Sequence, residues 1–237
     1  MGKSCRVCGD PNTVKSHVIP RALMLDLRGQ DSYLHEVTDD RKRTRFLQSG
    51  PIDDQIFCLR HEGLTQRADR YGIDFCRRAH ELVPQNGLRG TVPNPDPDLL
   101  VEFACLMVYR FCISKYGTGV GALGPYGSKL QEIVFADTLV YPMLFLARNH
   151  LRVDGQTEAT IAIAPFPVRL GGIRCWLFCV SGVQFFLKLD QRPLPGERDG
   201  FAANKANPVM LLQLDPMLTR DVPILQQLMS NMAARRQ

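Results

Sequence analysis

The sequence predicts an α+β protein whose first third is stapled by a metal ion and whose remainder is a helical block followed by a small antiparallel sheet. Three observations carry this. Two short pairs, Cys5-x-x-Cys8 and Cys58-x-x-His61, have the ligand spacing of tetrahedral metal sites. The stretch "LLVEFACLMVYRFCISKY" has the length and apolar content of a buried helix. Residues 157–189 break into apolar runs divided by Gly pairs or turns, as strands of a meander do.

The bulk properties fit this class. The chain has 237 residues, 45% hydrophobic and 22% charged, which excludes wholesale disorder. The formal charge of +5 permits an anionic partner without requiring one. The polar opening "MGKSCRVCGD" lacks the apolar core of a secretory signal, and no run of 18 apolar residues is free of charge, so no membrane partner is expected. The eight cysteines sit partly in apolar runs, unlike a short secreted disulfide scaffold. Together these predict a reducing, cytoplasmic setting.

Three blocks are expected: a charged, histidine-bearing module over 1–82, a Pro/Gly/Asn-rich linker over 83–97, and an apolar block over 98–237. In the first block, "PRALMLDLRG" reads as a short helix, with Pro20 suited to its start and Gly29 to its end. "SYLHEVTDDRKRTRFLQ" reads as two strands around a turn near Asp39–Asp40. "CLRHEGLTQRADRYGIDFCRRAHEL" has helical spacing, weakened by Gly63 and Gly72, with Leu64, Ala68 and Ile73 as its expected inner face. In the last block, a helix over 98–116 follows Pro97, with Asp98 as its cap. A second helix runs from about Ser128 to His150, bent or interrupted at Pro142. Three strands then occupy 157–189, and a terminal helix about Val222–Ala234. The glycine-rich "GTGVGALG" contains a G-x-G-x-x-G offset but follows a helix, not a strand, so it reads as an interhelical hinge.

Three thiolates and one imidazole in two tight pairs suit Zn²⁺, which closes a tetrahedron with such ligands and ties two distant segments together. The competing reading makes Cys58 a buried cysteine after Ile56-Phe57 and His61 a helix-end residue. A thioredoxin-like role for the first pair would need a βαβ context that is not evident. With four ligands supplied, His17 is not needed by the ion. It is either a polar residue at a helix entry or a general base, for which its ordinary pKa near neutrality is suited.

"C-x-x-C-x8-H-V-I-P" followed by "D-D-Q-I-F-C-x-x-H-E" resembles the HNH, or ββα-metal, endonucleases that carry a structural zinc, and in particular bacterial and phage proteins of the pattern CxxC…SHIIP…LCxxCE. The likeness covers about residues 3–80. It implies a zinc-stapled ββα-metal (treble-clef-like) fold, a nuclease that hydrolyses phosphodiester bonds, DNA as the substrate, and a setting in phage or bacterial defence. It also implies Cys5, Cys8, Cys58 and His61 as zinc ligands and His17 as general base. Glu62 stands where the family has its last metal-binding histidine, and Asp53 where its middle asparagine sits, so both are implied around a catalytic Mg²⁺ or Mn²⁺. Ser16 replaces the aspartate common before the histidine, which puts that ion in question. The alternative function is a non-catalytic, zinc-stabilised module that binds nucleic acid or protein.

Several cations complete the expected nucleic-acid surface. Arg41, Lys42, Arg43 and Arg45 could grip phosphates or, equally, keep an exposed hairpin from pairing. Arg67 and Arg70 lie on the helix that carries Glu62, while Glu62, Gln66 and Asp69 share one of its faces. Cys105, Cys112, Cys175 and Cys179 read as core, and the strand with Trp176 and Phe178 reads as covered on both faces. A homo-oligomeric or protein partner would use the C-terminal block.

Overall fold

The computed structural model describes residues 3–37, 44–81, 89–117, 119–136, 142–148, 152–153, 156–157, 162–194, 200, 202–204 and 209–213. In chain order the first elements are β1 (Ser16–His17), α1 (Arg21–Arg28), β2 (Leu34–Val37), β3 (Thr44–Leu47), β4 (Ile52–Asp53) and α2 (Leu59–Glu81). Then come β5 (Arg89–Val92), α3 (Pro97–Ile113), a 3-10 turn (Val120–Leu123) and α4 (Tyr126–Phe135). The last elements are the strands β6 (Met143–Arg148), β7 (Arg152–Val153), β8 (Gln156–Thr157), β9 (Ile163–Leu170), β10 (Ile173–Val180), β11 (Val183–Lys188) and β12 (Val209–Gln213).

The short helix begins after Pro20 and ends at Gly29, whose φ of 56° is the left-handed geometry that favours glycine. β2 and β3 pair antiparallel, from Leu34 opposite Leu47 to Val37 opposite Thr44; the turn between them lies outside the described residues. β1 pairs antiparallel with β4, placing Ser16 opposite Asp53 and His17 opposite Ile52, and α2 comes directly after β4. Among the described residues this is a strand pair leading into a long helix, the frame that holds the polar site.

Of the expected inner face of α2, Ala68 is buried and Ile73 packs against the core, but Leu64 does not belong to it. His61, Thr65, Ala68, Gly72, Phe75, Cys76 and Ala79 are buried, a 3.6-residue stripe, whereas Leu64 is 45% exposed. Gly72 is there for contact: a Cβ added to it would lie 2.3 Å from the Phe103 ring on α3. Thirteen of the 17 residues of α3 are buried, so it is a central helix and not an amphipathic surface one. Its cap is Asp96, whose side chain accepts the Leu99 N–H at 3.0 Å, and not Asp98; Pro97 takes the first helical position, where its missing N–H costs nothing.

The expected helix over 128–150 is two elements. α4 stops at Phe135, and beyond Pro142 the chain is strand β6. Leu144 and Leu146 of β6 face the main core while Phe145 faces the other side, the alternation of a strand buried on both faces. β6 lies inside a six-stranded sheet of order β5-β12-β6-β11-β10-β9, parallel to β12 and antiparallel to β11. β9, β10 and β11 form the expected meander, closed at Gly171-Gly172 and Ser181-Gly182, all four with positive φ. Trp176 and Phe178 pack on the helical side while Leu177 and Cys179 form a cluster on the other. The segment expected as a linker contains β5, which pairs with β12. Val18, Phe57 and Phe75 from before it and Phe103, Tyr109 and Trp176 from after it belong to one buried cluster. The terminal helix expected over 222–234 lies outside the described residues, among which no helix is long and apolar enough to cross a membrane.

Candidate metal centre and the polar site beside it

The first knuckle is a tight turn. The Gly9 N–H donates to the Cys5 carbonyl at 2.8 Å, and Gly9 takes φ 77°, which needs no Cβ. The knuckle is sewn to the start of α2 by backbone: Arg6 N–H to Ile56 O and Val14 N–H to Phe57 O, both 2.9 Å, with Thr13 bridged to Cys58. Cys58 precedes the first residue of α2 and its carbonyl accepts the Glu62 N–H at 2.9 Å, so His61 comes round the first turn onto the same side.

Cys5, Cys8, Cys58 and His61 bring their ligand atoms within 4.8 Å of one another, and this cluster could bind a metal. His61 Nδ1 lies 3.5 Å from Cys5 Sγ and 3.2 Å from Cys58 Sγ, while Cys8 Sγ lies 3.9 Å from Cys58 Sγ. A regular tetrahedron with metal–sulfur bonds of about 2.3 Å and metal–nitrogen bonds of about 2.0 Å has S···S edges of about 3.8 Å and S···N edges of about 3.5 Å. These three edges lie close to those of one tetrahedral ion. Burial raises the Cys5 thiol, but N–H groups of Cys8, Val7 and Cys58 outweigh it and the net shift is downward, toward the thiolate a metal needs. Burial, with Arg60 behind it, lowers His61, which keeps its imidazole neutral for ligation. Its ring is held edge-on by Phe135, with centroids 5.1 Å apart.

The other five cysteines are buried, and burial pushes their thiols up, to about 12 for Cys112 and Cys179 and about 11 for Cys175. They are small core residues. Among the described residues no second group of three metal-ligating side chains comes together.

His17 and Glu62 do not face each other. Adjacent residues of a strand point to opposite sides, and on β1 it is the fully buried Ser16 that meets Glu62, its hydroxyl donating to Glu62 Oε2 at 2.6 Å. His17 is half-buried and its Nε2 lies 3.4 Å from Ser49 Oγ. Burial first, then the positive charges of Arg21 and Arg110, lower its pKa, so the imidazole is neutral at pH 7. Burial raises the Glu62 carboxyl, partly offset by the Ser16 hydroxyl and Arg110.

Asp53 is nearly fully buried and both its oxygens are taken: Oδ1 accepts the Gln55 N–H at 2.9 Å and Oδ2 the Lys115 N–H at 2.6 Å. It ties β4 to the chain after α3. Two residues that the sequence pattern does not join complete the site. Arg110, 2% exposed on α3, donates to Asp69 Oδ2 at 2.7 Å and to the His17 carbonyl at 3.1 Å. Asp69 Oδ1 and Arg110 Nε are buried without a hydrogen-bond partner among the described residues. The only hint of this pair in the sequence is an arginine inside an apolar helix.

Of the expected phosphate-binding cations, Arg67 is paired with Glu102 on α3 at 2.8 Å and Arg70 is exposed. Arg45 stands opposite Glu36 in the β2–β3 register, and Arg41, Lys42 and Arg43 lie outside the described residues. No protein-family model, no curated protein and no solved structure matches this chain.

Proposed function

We propose that the metal-stapled β1–β4–α2 unit is an HNH-like nuclease centre that hydrolyses nucleic-acid phosphodiester bonds, with Zn²⁺ in the Cys3His cluster and His17 as general base. One observation carries the reading. A neutral, half-exposed histidine sits on the strand whose other face hands Ser16 to Glu62, one residue beyond the last ligand of the cluster. The zinc assignment rests on the donor set, three thiolates and an imidazole, and on the edge lengths.

The residues have separable tasks. His17 takes a proton from water as the water oxygen bonds to phosphorus and the ester oxygen leaves. The His17 carbonyl, bonded by Arg110, and the β1–β4 pairing fix the strand that carries the imidazole. Arg21, on the first residue of α1, adds a positive charge near the imidazole, suited to a phosphate. Glu62 lies across β1 from the imidazole, so a Mg²⁺ or Mn²⁺ ion at a phosphate beside His17 would be held mainly by the substrate's own oxygens and water, and would neutralise charge there.

The full chain, purified without chelator, is expected to carry about one zinc per molecule by elemental analysis. It should nick plasmid, and then single-stranded DNA or RNA, with Mg²⁺ or Mn²⁺, and His17→Ala should lose about 100-fold or more of the rate. Absence of cutting by the wild type, or equal cutting by His17→Ala, overturns the reading.

The second reading, a module that binds nucleic acid without cutting it, is favoured by one feature. Ser16 occupies an oxygen of Glu62, and the buried Arg110 already supplies a cation beside it. A mobility shift by wild type and His17→Ala alike, with no cleavage under any ion, would select it.

A further inference from the structure

The sheet carries a second polar feature, independent of the nuclease reading. Lys188 ends β11, directly across from Met143 of β6. It is 1% exposed, and its ammonium has one hydrogen-bond partner among the described residues, the Met143 thioether sulfur at 3.7 Å. Three N–H donors thus share one weak acceptor. Burial of an ammonium is costly unless an anion or several good acceptors compensate it.

Lys188 lines a cavity of about 240 Å³ with Lys129 of α4 and with Pro142, Met143, Asp190 and Gln191. Among the described residues Asp190 is the one carboxylate in that lining; it lies within reach of the charge of Lys188, but its hydrogen bonds go to Arg192. It accepts from Arg192 through the backbone N–H at 2.8 Å, Nε at 2.8 Å and the guanidinium NH2 at 2.5 Å. The Asp190–Arg192 pair is therefore close to neutral, and the described lining carries a net positive charge from the two ammonium groups. Met143 and Pro142 supply an apolar wall. The volume is below the roughly 300–1,000 Å³ of sites for drug-sized ligands, which fits a compact anion with few carbons.

We infer that this cavity binds a small oxyanion, a phosphate or a carboxylate group, with Lys188 and Lys129 as its counter-charges. Such a ligand would give the buried ammonium the acceptors that the protein withholds. Two compact, strongly hydrated ammonium groups suit an oxyanion as point charges, without the forked geometry an arginine would impose.

The test uses the full chain, with thermal melting in sodium phosphate or in sodium acetate against sodium chloride at matched ionic strength. Wild-type Tm should rise with the concentration of one of the two anions, and the responding arm identifies the headgroup. Lys188→Met keeps the length of the side chain and removes its charge. It should melt no lower than wild type in chloride and should lose the anion-dependent rise. Lys129→Gln should bind the responding anion about tenfold or more weakly by titration calorimetry, as expected for loss of one charge-assisted contact. No rise in wild type with either anion overturns the inference. So does an equal rise in Lys188→Met. If Lys188→Met does not fold, unchanged binding by Lys129→Gln overturns it instead.

Discussion

Arg110 shows what a single buried charge can hold together. Its guanidinium joins Asp69 on α2 to the His17 carbonyl on β1, so one side chain of α3 fixes both the helix and the strand of the site. Burial raises Asp69, and Arg110 is the group that opposes that rise. Removing the arginine strands a buried carboxylate, the situation in which broken buried pairs cost about 3–5 kcal/mol. Arg110→Met should therefore lower unfolding free energy by about that amount in urea titrations, and adding Asp69→Asn should recover part of it. His17 makes a pH prediction. Its folded-state pKa lies below the usual histidine value of about 6.5, first through burial and then through Arg21 and Arg110. On the proposed nuclease reading the cleavage rate should thus stay on its plateau at neutral pH and fall only as pH drops below that value. Arg21→Gln should move the falling limb upward. A limb above 6.5 in wild type would contradict the neutral imidazole.

At the scale of the element, α2 carries two glycines that the sequence presents as equal weaknesses. They are not equal. Nothing lies within 4 Å of a Cβ built on Gly63, whereas one on Gly72 would strike the Phe103 ring. Gly63→Ala should stabilise by about 0.5–1 kcal/mol through helix propensity alone. Gly72→Ala gains the same propensity but overpacks the α2–α3 contact at about 1–3 kcal/mol, so its net effect should be a lower Tm. The opposite signs are checked by melting the two variants side by side. The same helix explains why Leu64 is not the inner residue its apolar character suggests. The inner stripe starts from His61, which joins Cys5, Cys8 and Cys58 on the inner side, and the 3.6-residue period then selects Thr65, Ala68 and Gly72. Apolar character alone could not set that phase, because the polar His61 and Thr65 are among the buried residues.

Across the whole molecule, the N-terminal block is tied to the C-terminal one. Lys115 N–H to Asp53, Tyr116 hydroxyl to the Ile52 carbonyl, Arg67 to Glu102 and Arg110 to Asp69 all cross from one side of the 83–97 segment to the other. Phe57 packs edge-on against Phe135 in the shared core. A fragment ending at residue 82 would expose that surface and orphan Asp53 and Asp69. Even with zinc bound, fragment 1–82 should unfold without a cooperative transition, as monitored by circular dichroism. A sharp transition would show the block to be self-sufficient.

Much of this protein was legible along the chain because it depends on near neighbours. The two Cys/His pairs, the Pro20 and Gly29 helix ends, the β2–β3 pairing and the β9–β11 meander each rest on spacing within a few residues, which local sterics and hydrogen bonding enforce. The split at Pro142 was less legible, since "MLFLAR" is apolar enough for a helix or a strand and only its partners β12 and β11 decide it. The polar sites were the least legible. Ser16 meets Glu62 across 46 residues, Arg110 meets the His17 carbonyl across 93, and Lys188 reaches a cavity whose other lysine lies on α4. Sequence alone determined which residues could ligate a metal and most of the segments that are helix or strand. Only the tertiary structure decided which side of β1 faces α2, and so which residue received Glu62 and which was left to face Ser49. Strand pairing and helix packing set those facing partners, and they are fixed by contacts between segments that no local pattern records.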